Sequence, residues 1–194
     1  MSFLEYRLKT VPTGAAKIFY INWAVVILLI AIASAGFLML YSVAGGRIEV
    51  WAEPQMKRFV VGMVVMFAIA FVPIWFWRNM AGLAFGISLL LLLAVDFFGS
   101  VGMGAQRWLE LGPLRLQPSE MAKVTLVMLL AAYYDWLDVK KTSRPLWVLI
   151  PVVFIMVPTI LVLGQPDLGT AILLMAGGAV VMFCAGVHWL YFGA

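Results

Sequence analysis

The chain has 194 residues, of which 65% are hydrophobic and 11% are charged, and its mean hydropathy is +1.06. Soluble domains are about 45–50% apolar and about 25% charged, so thirteen Lys and Arg and nine acids cannot cover a water-soluble surface of this size. The composition excludes a secreted, nucleic-acid-binding or disordered protein, since the basic residues behind the net charge of +4 are scattered between apolar runs. The single cysteine, Cys184, excludes an internal disulfide framework. The sequence therefore predicts an integral membrane protein.

Six apolar runs along the chain predict membrane-spanning helices, because a hydrocarbon core of about 30 Å needs about 20 apolar residues per helix. The runs cover residues 21–41, 59–77, 80–98, 121–134, 147–163 and 168–189. The fourth run is long enough when the polar turn before it, residues 117–120, is counted as its first turn. Strands are not expected, because the runs are continuous rather than alternating. We predict an all-α polytopic bundle of about six transmembrane helices in one domain, residues 1–194, with a cytoplasmic leader over residues 1–19.

Basic residues in the loops indicate the orientation. The first apolar run continues past the signal-peptidase-like Ala33-Ser34-Ala35, which favours an uncleaved span behind an amphipathic leader. An inside N-terminus puts seven basic residues in the cytoplasm, namely Arg7, Lys9, Lys17, Arg78, Lys140, Lys141 and Arg144. Five then lie outside, namely Arg47, Lys57, Arg58, Arg107 and Arg115. The inner loop 135–145 is expected to be a plain solvated connection.

The segment between the third and fourth runs, residues 102–116, mixes glycines and two arginines with apolar residues. This composition is typical of a chain that lies in the membrane interface. Arg107 beside Trp108 can bind a lipid phosphate, because a guanidinium fork matches phosphate oxygens. An interfacial anchor made of an aromatic residue and an arginine explains the same two residues, and both interpretations stay open.

The fourth run opens on Gln-Pro-Ser-Glu at residues 117–120. Pro118 and Glu120 stand where helix starts favour a proline and an acid. Lys123 lies three residues further on and shares a helix face with Glu120. A lysine inside a span costs about a few kcal/mol unless it is paired, snorkels or faces water. The two residues either line a polar cavity or form an internal ion pair that orients helices.

The sixth run begins in the same way, on Gln165-Pro166-Asp167. Asp167 can cap the helix, which is the usual role of an acid at this position. The preceding loop is so short that Asp167 must lie near the bilayer boundary, on the same side as Arg107 and Glu120. One shared polar pocket and separate helix caps are both consistent with this pattern. Asp96, at the outer end of the third run, is a further candidate.

Other features of the sequence give weaker indications. His188 beside Trp189 is typical of an interfacial belt. One histidine and one cysteine, well separated from the acids, form no zinc or triad pattern, and no phosphate-binding glycine loop is present. The pairs Gly177-Gly178 and Gly82…Gly86 predict close helix contacts.

Three motifs stand in register along the chain: GAQRWL at residues 104–109, QPSEMAK at 117–123 and QPDLGT at 165–170. Together they resemble the SEDS family (shape, elongation, division and sporulation), which includes the RodA, FtsW and SpoVE groups. The segment between the third and fourth runs is most similar to the RodA group. The resemblance covers essentially the whole chain and implies the N-terminal half of a bundle of about ten helices.

The resemblance implies a peptidoglycan glycosyltransferase that polymerises lipid II at the outer face of the bacterial inner membrane, for cell elongation and rod shape. In the implied substrate pocket, Arg107 and Lys123 offer cations to the lipid diphosphate, and Glu120, Gln165 and Asp167 shape the site. Implied partners are lipid II, a class B penicillin-binding protein transpeptidase, other membrane proteins of the elongation complex and membrane lipids, but no nucleic acid. Whether a divalent cation is needed stays open, and no protein metal site is expected.

In the family the proposed catalytic aspartate lies in a large outer loop after the seventh span, and no residue up to Ala194 corresponds to it. We therefore expect no catalytic residue in this segment, and expect the chain to be an incomplete, inactive portion of a longer enzyme. A transporter of the lipid-linked precursor is one alternative, for which polar groups at mid-bilayer are typical. A non-catalytic membrane scaffold is the other. The acids and arginines gather at one end of the spans, which favours chemistry at the membrane surface.

Overall fold

The computed structural model describes residues 14–102, 105–111 and 114–193, and its backbone divides after Pro73 into two compact units. The first unit contains a 3-10 helix (Gly14–Tyr20) and the helices α1 (Trp23–Val43) and α2 (Ala52–Phe71). The second unit contains α3 (Ile74–Phe98), α4 (Pro118–Trp136), α5 (Pro145–Gly164) and α6 (Leu168–Cys184). It also contains strands β1 (Ser100–Gly102), β2 (Ala105–Leu111) and β3 (Leu114–Leu116), and 3-10 helices at Val139–Lys141 and Trp189–Phe192.

The helical architecture of the six predicted runs is confirmed. Four helices, α1, α2, α3 and α5, are long and apolar enough to cross a membrane, and α6 is a shorter apolar helix. In α4 the polar turn is indeed part of the helix, with Gln117 as the N-cap and Pro118 in the first turn. A single domain over residues 1–194 with a cytoplasmic leader stays a prediction.

In the first unit, α1 and α2 form an antiparallel pair. Trp23 packs near Phe67 and Phe37 near Phe59, with ring centroids 6.2 and 5.7 Å apart. The Lys17 ammonium donates hydrogen bonds at the C-terminal end of α2, to the carbonyl oxygens of Ala70, Phe71 and Val72. Carbonyls in the last turn of a helix lack intrahelical partners and carry partial negative charge, so a lysine there stabilises the helix end.

The second predicted run, 59–77, was wrong at both ends. The helix begins at Ala52, because polar residues extend it beyond the apolar run, and Glu53 and Lys57 pair across this first turn at 2.6 Å. It ends at Phe71, where Val72 is extended (ψ 135°) ahead of Pro73. A residue before proline is disfavoured in helical geometry. The third run, predicted from residue 80, consequently begins at Ile74.

The sixth run, predicted to end at residue 189, was too long. The helix ends at Cys184, and Gly186 follows with a positive φ of 90°. The N–H of Gly186 donates to Phe183 and that of Val187 donates to Met182, which is a Schellman motif. Glycine ends this helix because it adopts the left-handed conformation at little cost.

In the second unit, α4 lies between α3, α5 and α6 and packs against all three. The buried core includes Leu126 and Leu130 of α4, Leu92 of α3, Ile155 of α5 and Leu174 of α6. Most other large apolar residues of these helices are exposed in the isolated chain, as expected for surfaces that face lipid.

Glycine contacts confirm the close-packing prediction at one position. A Cβ added to Gly178 would lie 2.4 Å from Cγ1 of Ile155, so α5 and α6 approach closely there. At Gly177, Gly82 and Gly86 an added Cβ would meet nothing within 4 Å among the described residues. The prediction of close helix contacts was therefore wrong for these three glycines.

The connection between α3 and α4 forms a three-stranded antiparallel sheet in the order β1-β2-β3. Gln106 pairs with Val101, and Leu109 pairs with Leu116. These short strands were not predicted, because only long apolar runs were considered and the turn signal Gly112-Pro113 was not used. The sheet leads directly into α4, and β2 also lies against the end of α3.

Candidate functional site

The candidate site lies at one end of the second unit, which we call the sheet end. It is defined by Asp96 at the end of α3, Arg107 on β2, Gln165 at the end of α5, Asp167 at the start of α6, and the Glu120–Lys123 pair of α4. The opposite end, which we call the loop end, is defined by the α4–α5 connection (residues 137–144).

Gln165 connects the end of α5 to the end of α3. Its side chain is buried, with 4% of the residue exposed. Its Nε2 donates to the carbonyl oxygen of Leu92 at 2.9 Å and to Oδ1 of Asp96 at 3.0 Å. A buried amide that satisfies both donors in this way fixes its own rotamer and holds Asp96 beside the α5–α6 turn.

Arg107 connects the sheet to the same turn. Its Nε donates to the carbonyl oxygen of Gln165 at 3.4 Å and lies 3.9 Å from Oδ2 of Asp167. Its Nη2 donates to the carbonyl oxygen of Pro166. The guanidinium therefore holds β2 against the α5–α6 turn. Phosphate binding and interfacial anchoring by Arg107 both stay predictions, and the contacts with main-chain carbonyls were not anticipated.

Asp167 caps α6 and also faces the arginine. Its Oδ1 accepts from the N–H of Thr170 at 3.2 Å, and its Oδ2 accepts from the Thr170 hydroxyl at 2.8 Å. The cap predicted for Asp167 is therefore present, and the same carboxylate lies near Arg107. Thr170 was missed as a contributor, although its spacing in Asp-Leu-Gly-Thr is the spacing of an N-cap and the third helical residue.

Glu120 and Lys123 form an ion pair in the first turns of α4. Nζ of Lys123 lies 2.7 Å from Oε1 of Glu120, and their side chains are 26% and 57% exposed. Within the described ranges, no hydrogen bond or ion pair joins them to Arg107, Gln165 or Asp167. The structure thus links three of the five predicted pocket residues, together with Asp96, and places the other two in a separate pair on α4.

A metal ion has no obvious ligand set in the part of the chain that the structure describes, since no three His, Cys, Asp or Glu side chains come together there. His188 lies beyond α6, where its Nδ1 accepts from Leu190 N–H at 3.4 Å and its ring stacks on Trp189. Its role in an interfacial belt stays a prediction, and so does the need for a divalent cation.

The apolar helices and the polar sheet end together define a multi-pass membrane protein. The family model for FtsW, RodA and SpoVE, described as a cell cycle protein, matches residues 16–194. The chain belongs to this family, which confirms the resemblance found in the three motifs.

Relatives and solved structures agree with this assignment. The chain is 35% identical over 179 residues to the peptidoglycan glycosyltransferase MrdB of Escherichia coli K12, covering 90% of this chain and 46% of MrdB. It is similar to the rod shape determining protein RodA of Thermus thermophilus, with a TM-score of 0.76 and 32% identity, covering 87% of this chain and 55% of RodA. It is also similar to a chain of a peptidoglycan synthase complex that coordinates polymerization and crosslinking, with a TM-score of 0.79 and 32% identity, covering 88% of this chain and 49% of that one. The chain spans about half the length of the relatives it matches.

Proposed function

We propose that the protein carrying this chain is a peptidoglycan glycosyltransferase that polymerises lipid II for cell elongation and rod shape. It works in the bacterial inner membrane, with the N-terminus and the leader 1–19 in the cytoplasm and the sheet end outside. Family membership supports this proposal, as do the names of MrdB and RodA.

The observation that carries the proposal is the concentration of charged and amide side chains at the sheet end. Arg107 and Asp167 lie within 3.9 Å, and Glu120 and Lys123 pair at the start of α4. Two other pocket candidates, Gln165 and Asp96, are joined directly. A lipid-linked substrate presents its diphosphate and sugars at the membrane surface, so a polar site at the end of apolar helices suits it better than one at mid-bilayer.

In the proposed reaction, the acceptor sugar's 4-hydroxyl attacks the anomeric carbon of the growing glycan, with inversion. The bond to the lipid diphosphate breaks, and the diphosphate leaves with the electron pair. Cations placed at the leaving oxygens stabilise the charge that develops there. Lys123, and the exposed side of Arg107, supply such cations, while Gln165 and Asp167 hold the surrounding turn. General-base catalysis is left to a residue outside this segment.

A class B penicillin-binding protein that cross-links the product is the proposed partner, alongside other membrane proteins of the elongation complex. The similarity to a chain of a peptidoglycan synthase complex supports such an assembly. Transport of the precursor makes a different prediction for the polar residues: they would face each side of the membrane in turn. Accessibility labelling of Arg107→Cys, Glu120→Cys and Asp167→Cys from both sides distinguishes the two, and the enzyme predicts labelling from the outside alone.

The direct test uses the natural gene product that contains this chain, purified in detergent and supplied with lipid II. We expect glycan polymer on a gel, and we expect Glu120→Ala to abolish or strongly reduce it while the protein still inserts into membranes. Glu53→Ala, which also removes one member of an exposed ion pair, is the matched control and should polymerise normally. Failure of the unsubstituted protein to make polymer, with or without its partner, would contradict the proposed function.

A further inference from the structure

The loop end carries three basic side chains and one carboxylate, that of Asp138. Lys140, Lys141 and Arg144 are all exposed, and the ion pairs found among the described residues involve other side chains. Nearby Asp135 is bound to Arg78 at 2.7 Å, and Asp138 caps the short 3-10 helix through the N–H of Lys140. Three basic residues and one acid give residues 137–144 a net charge of +2.

Large apolar side chains flank these cations and are exposed. Val139 is 85% exposed, Leu146 77% and Trp136 71%. Apolar side chains beside cations are typical of a segment that rests on a membrane surface, with the apolar groups at the acyl boundary and the cations among the headgroups.

The length of α5 places this segment at headgroup depth. Its 20 residues span about 30 Å at about 1.5 Å per residue, which matches the hydrocarbon thickness of a bilayer. Arg144, the N-cap of α5, then lies at the boundary of the membrane, with Lys140 and Lys141 within one short turn of it.

Residues that follow α6 form hydrogen bonds with this connection. The Ser143 hydroxyl donates to the carbonyl oxygen of Gly186 at 3.3 Å and accepts from His188 N–H at 3.0 Å, and its carbonyl accepts from the Tyr191 hydroxyl at 3.1 Å. The Lys141 ammonium lies 5.4 Å from the centre of the Trp147 ring, within the range of a cation–π contact. The cations are thus attached to a fixed framework, which lowers the ordering cost of binding.

We propose that this connection binds the headgroup of an acidic phospholipid, with Lys140, Lys141 and Arg144 contacting its phosphate and Val139 and Leu146 contacting its acyl chains. Charge complementarity and depth select the lipid: a phosphate-bearing anion is the partner that the bilayer itself presents at this level. The inference is independent of the polymerase proposal, because it concerns the opposite end of the helices.

The test uses the natural gene product that contains this chain, in phosphatidylcholine nanodiscs with a trace of a photoactivatable phosphatidylglycerol. After illumination, mass spectrometry measures crosslinking to the peptide that covers residues 137–147. Unlabelled phosphatidylglycerol is expected to suppress this crosslink at a mole fraction at least tenfold lower than unlabelled phosphatidylethanolamine, which carries no net charge. Each basic residue near an anionic surface contributes roughly a fivefold change in binding, so Lys140→Gln/Lys141→Gln/Arg144→Gln is expected to lower the yield by at least tenfold.

Two further variants keep the result interpretable. The exchange Lys140→Arg/Lys141→Arg/Arg144→Lys retains the charge and should retain the crosslink. The matched control Arg47→Gln/Lys57→Gln/Arg58→Gln removes the same charge from the first unit and should leave the 137–147 crosslink unchanged. Equal competition by the two lipids, an unchanged yield in the first triple variant or an equal loss in the control would overturn the proposal. Suppression by soluble glycerol phosphate at equal concentration would identify a free phosphate site instead and would also overturn it.

Discussion

The two ends of the second unit use charged side chains in opposite ways. At the sheet end, Arg107 and Gln165 bind main-chain carbonyls of neighbouring elements, and Asp167 caps a helix beside them. At the loop end, a neutral side chain, Ser143, makes the hydrogen bonds to residues beyond α6. The three cations there are exposed, and one of them, Lys141, also lies over the Trp147 ring. A charged side chain that binds the backbone fixes the geometry of a site, whereas an exposed charged side chain is available to bind a partner. This difference suits a reaction site at one end and a lipid contact at the other.

The largest expected effect is on the rate of polymerisation, and it differs between substitutions at the two ends. Arg107→Ala removes the contacts that hold β2 to the α5–α6 turn, and we expect the natural gene product to lose roughly a hundredfold or more in lipid II polymerisation, because displacements of about 1 Å can cost that much. Arg144→Ala, an equal loss of charge at the loop end, should change the rate by less than about twofold. Equal effects of the two substitutions would show that general charge, rather than position, sets the rate.

The second prediction compares the buried amide with the serine of the loop end. Gln165→Ala removes two hydrogen bonds, one of them to a carboxylate, and leaves the Leu92 carbonyl without this donor. We expect it to lower the free energy of unfolding by about 2–3 kcal/mol, and Ser143→Ala to lower it by about 1 kcal/mol. Unfolding in a denaturing detergent measures both, and a larger loss for Ser143→Ala would show that the Gln165 contacts are not the stronger of the two sets.

The sequence predicted well those features that depend on local chemistry. Pro118 and Glu120 marked the start of α4, and Asp167 was expected as a cap, because both roles need only neighbouring backbone groups. The contacts of Arg107 could not be predicted in this way. Its partners are main-chain carbonyls at residues 165 and 166, and every residue carries such a carbonyl, so no sequence pattern identifies them.

Helix ends were predicted less well than helix centres, again for a physical reason. Hydropathy follows burial in lipid, but a helix ends where the backbone changes direction. Pro73 and Gly186 end α2 and α6 through backbone geometry, and neither position stands at a change in hydropathy. The strands between α3 and α4 were missed because they are short and mix polar and apolar residues, so no long apolar run marks them.

The third prediction concerns the close contact between α5 and α6, the two helices that connect the sheet end to the loop end. Gly178→Ala places a methyl group against Ile155, and we expect a loss of about 1–2 kcal/mol because overpacking shifts neighbouring side chains. Gly177→Ala is the matched control: it meets open space and gains up to about 1 kcal/mol of helix propensity. If the Gly178 variant is as stable as the control, the close approach of the two helices is not what positions the ends.

The smallest expected effect distinguishes the two alternatives for Glu120 and Lys123. The pairs Lys123–Glu120 and Arg78–Asp135 lie at opposite ends with the same 2.7 Å separation. Double-mutant cycles with Lys123→Met/Glu120→Gln and Arg78→Met/Asp135→Asn should give coupling energies of about 0.2–1 kcal/mol for both pairs, because exposed ion pairs contribute little to stability. Only the first set of variants should lose polymerisation. A coupling of several kcal/mol for Lys123–Glu120, with polymerisation retained, would instead support an internal ion pair that orients helices. The polar pocket would then consist of Arg107, Gln165 and Asp167 alone.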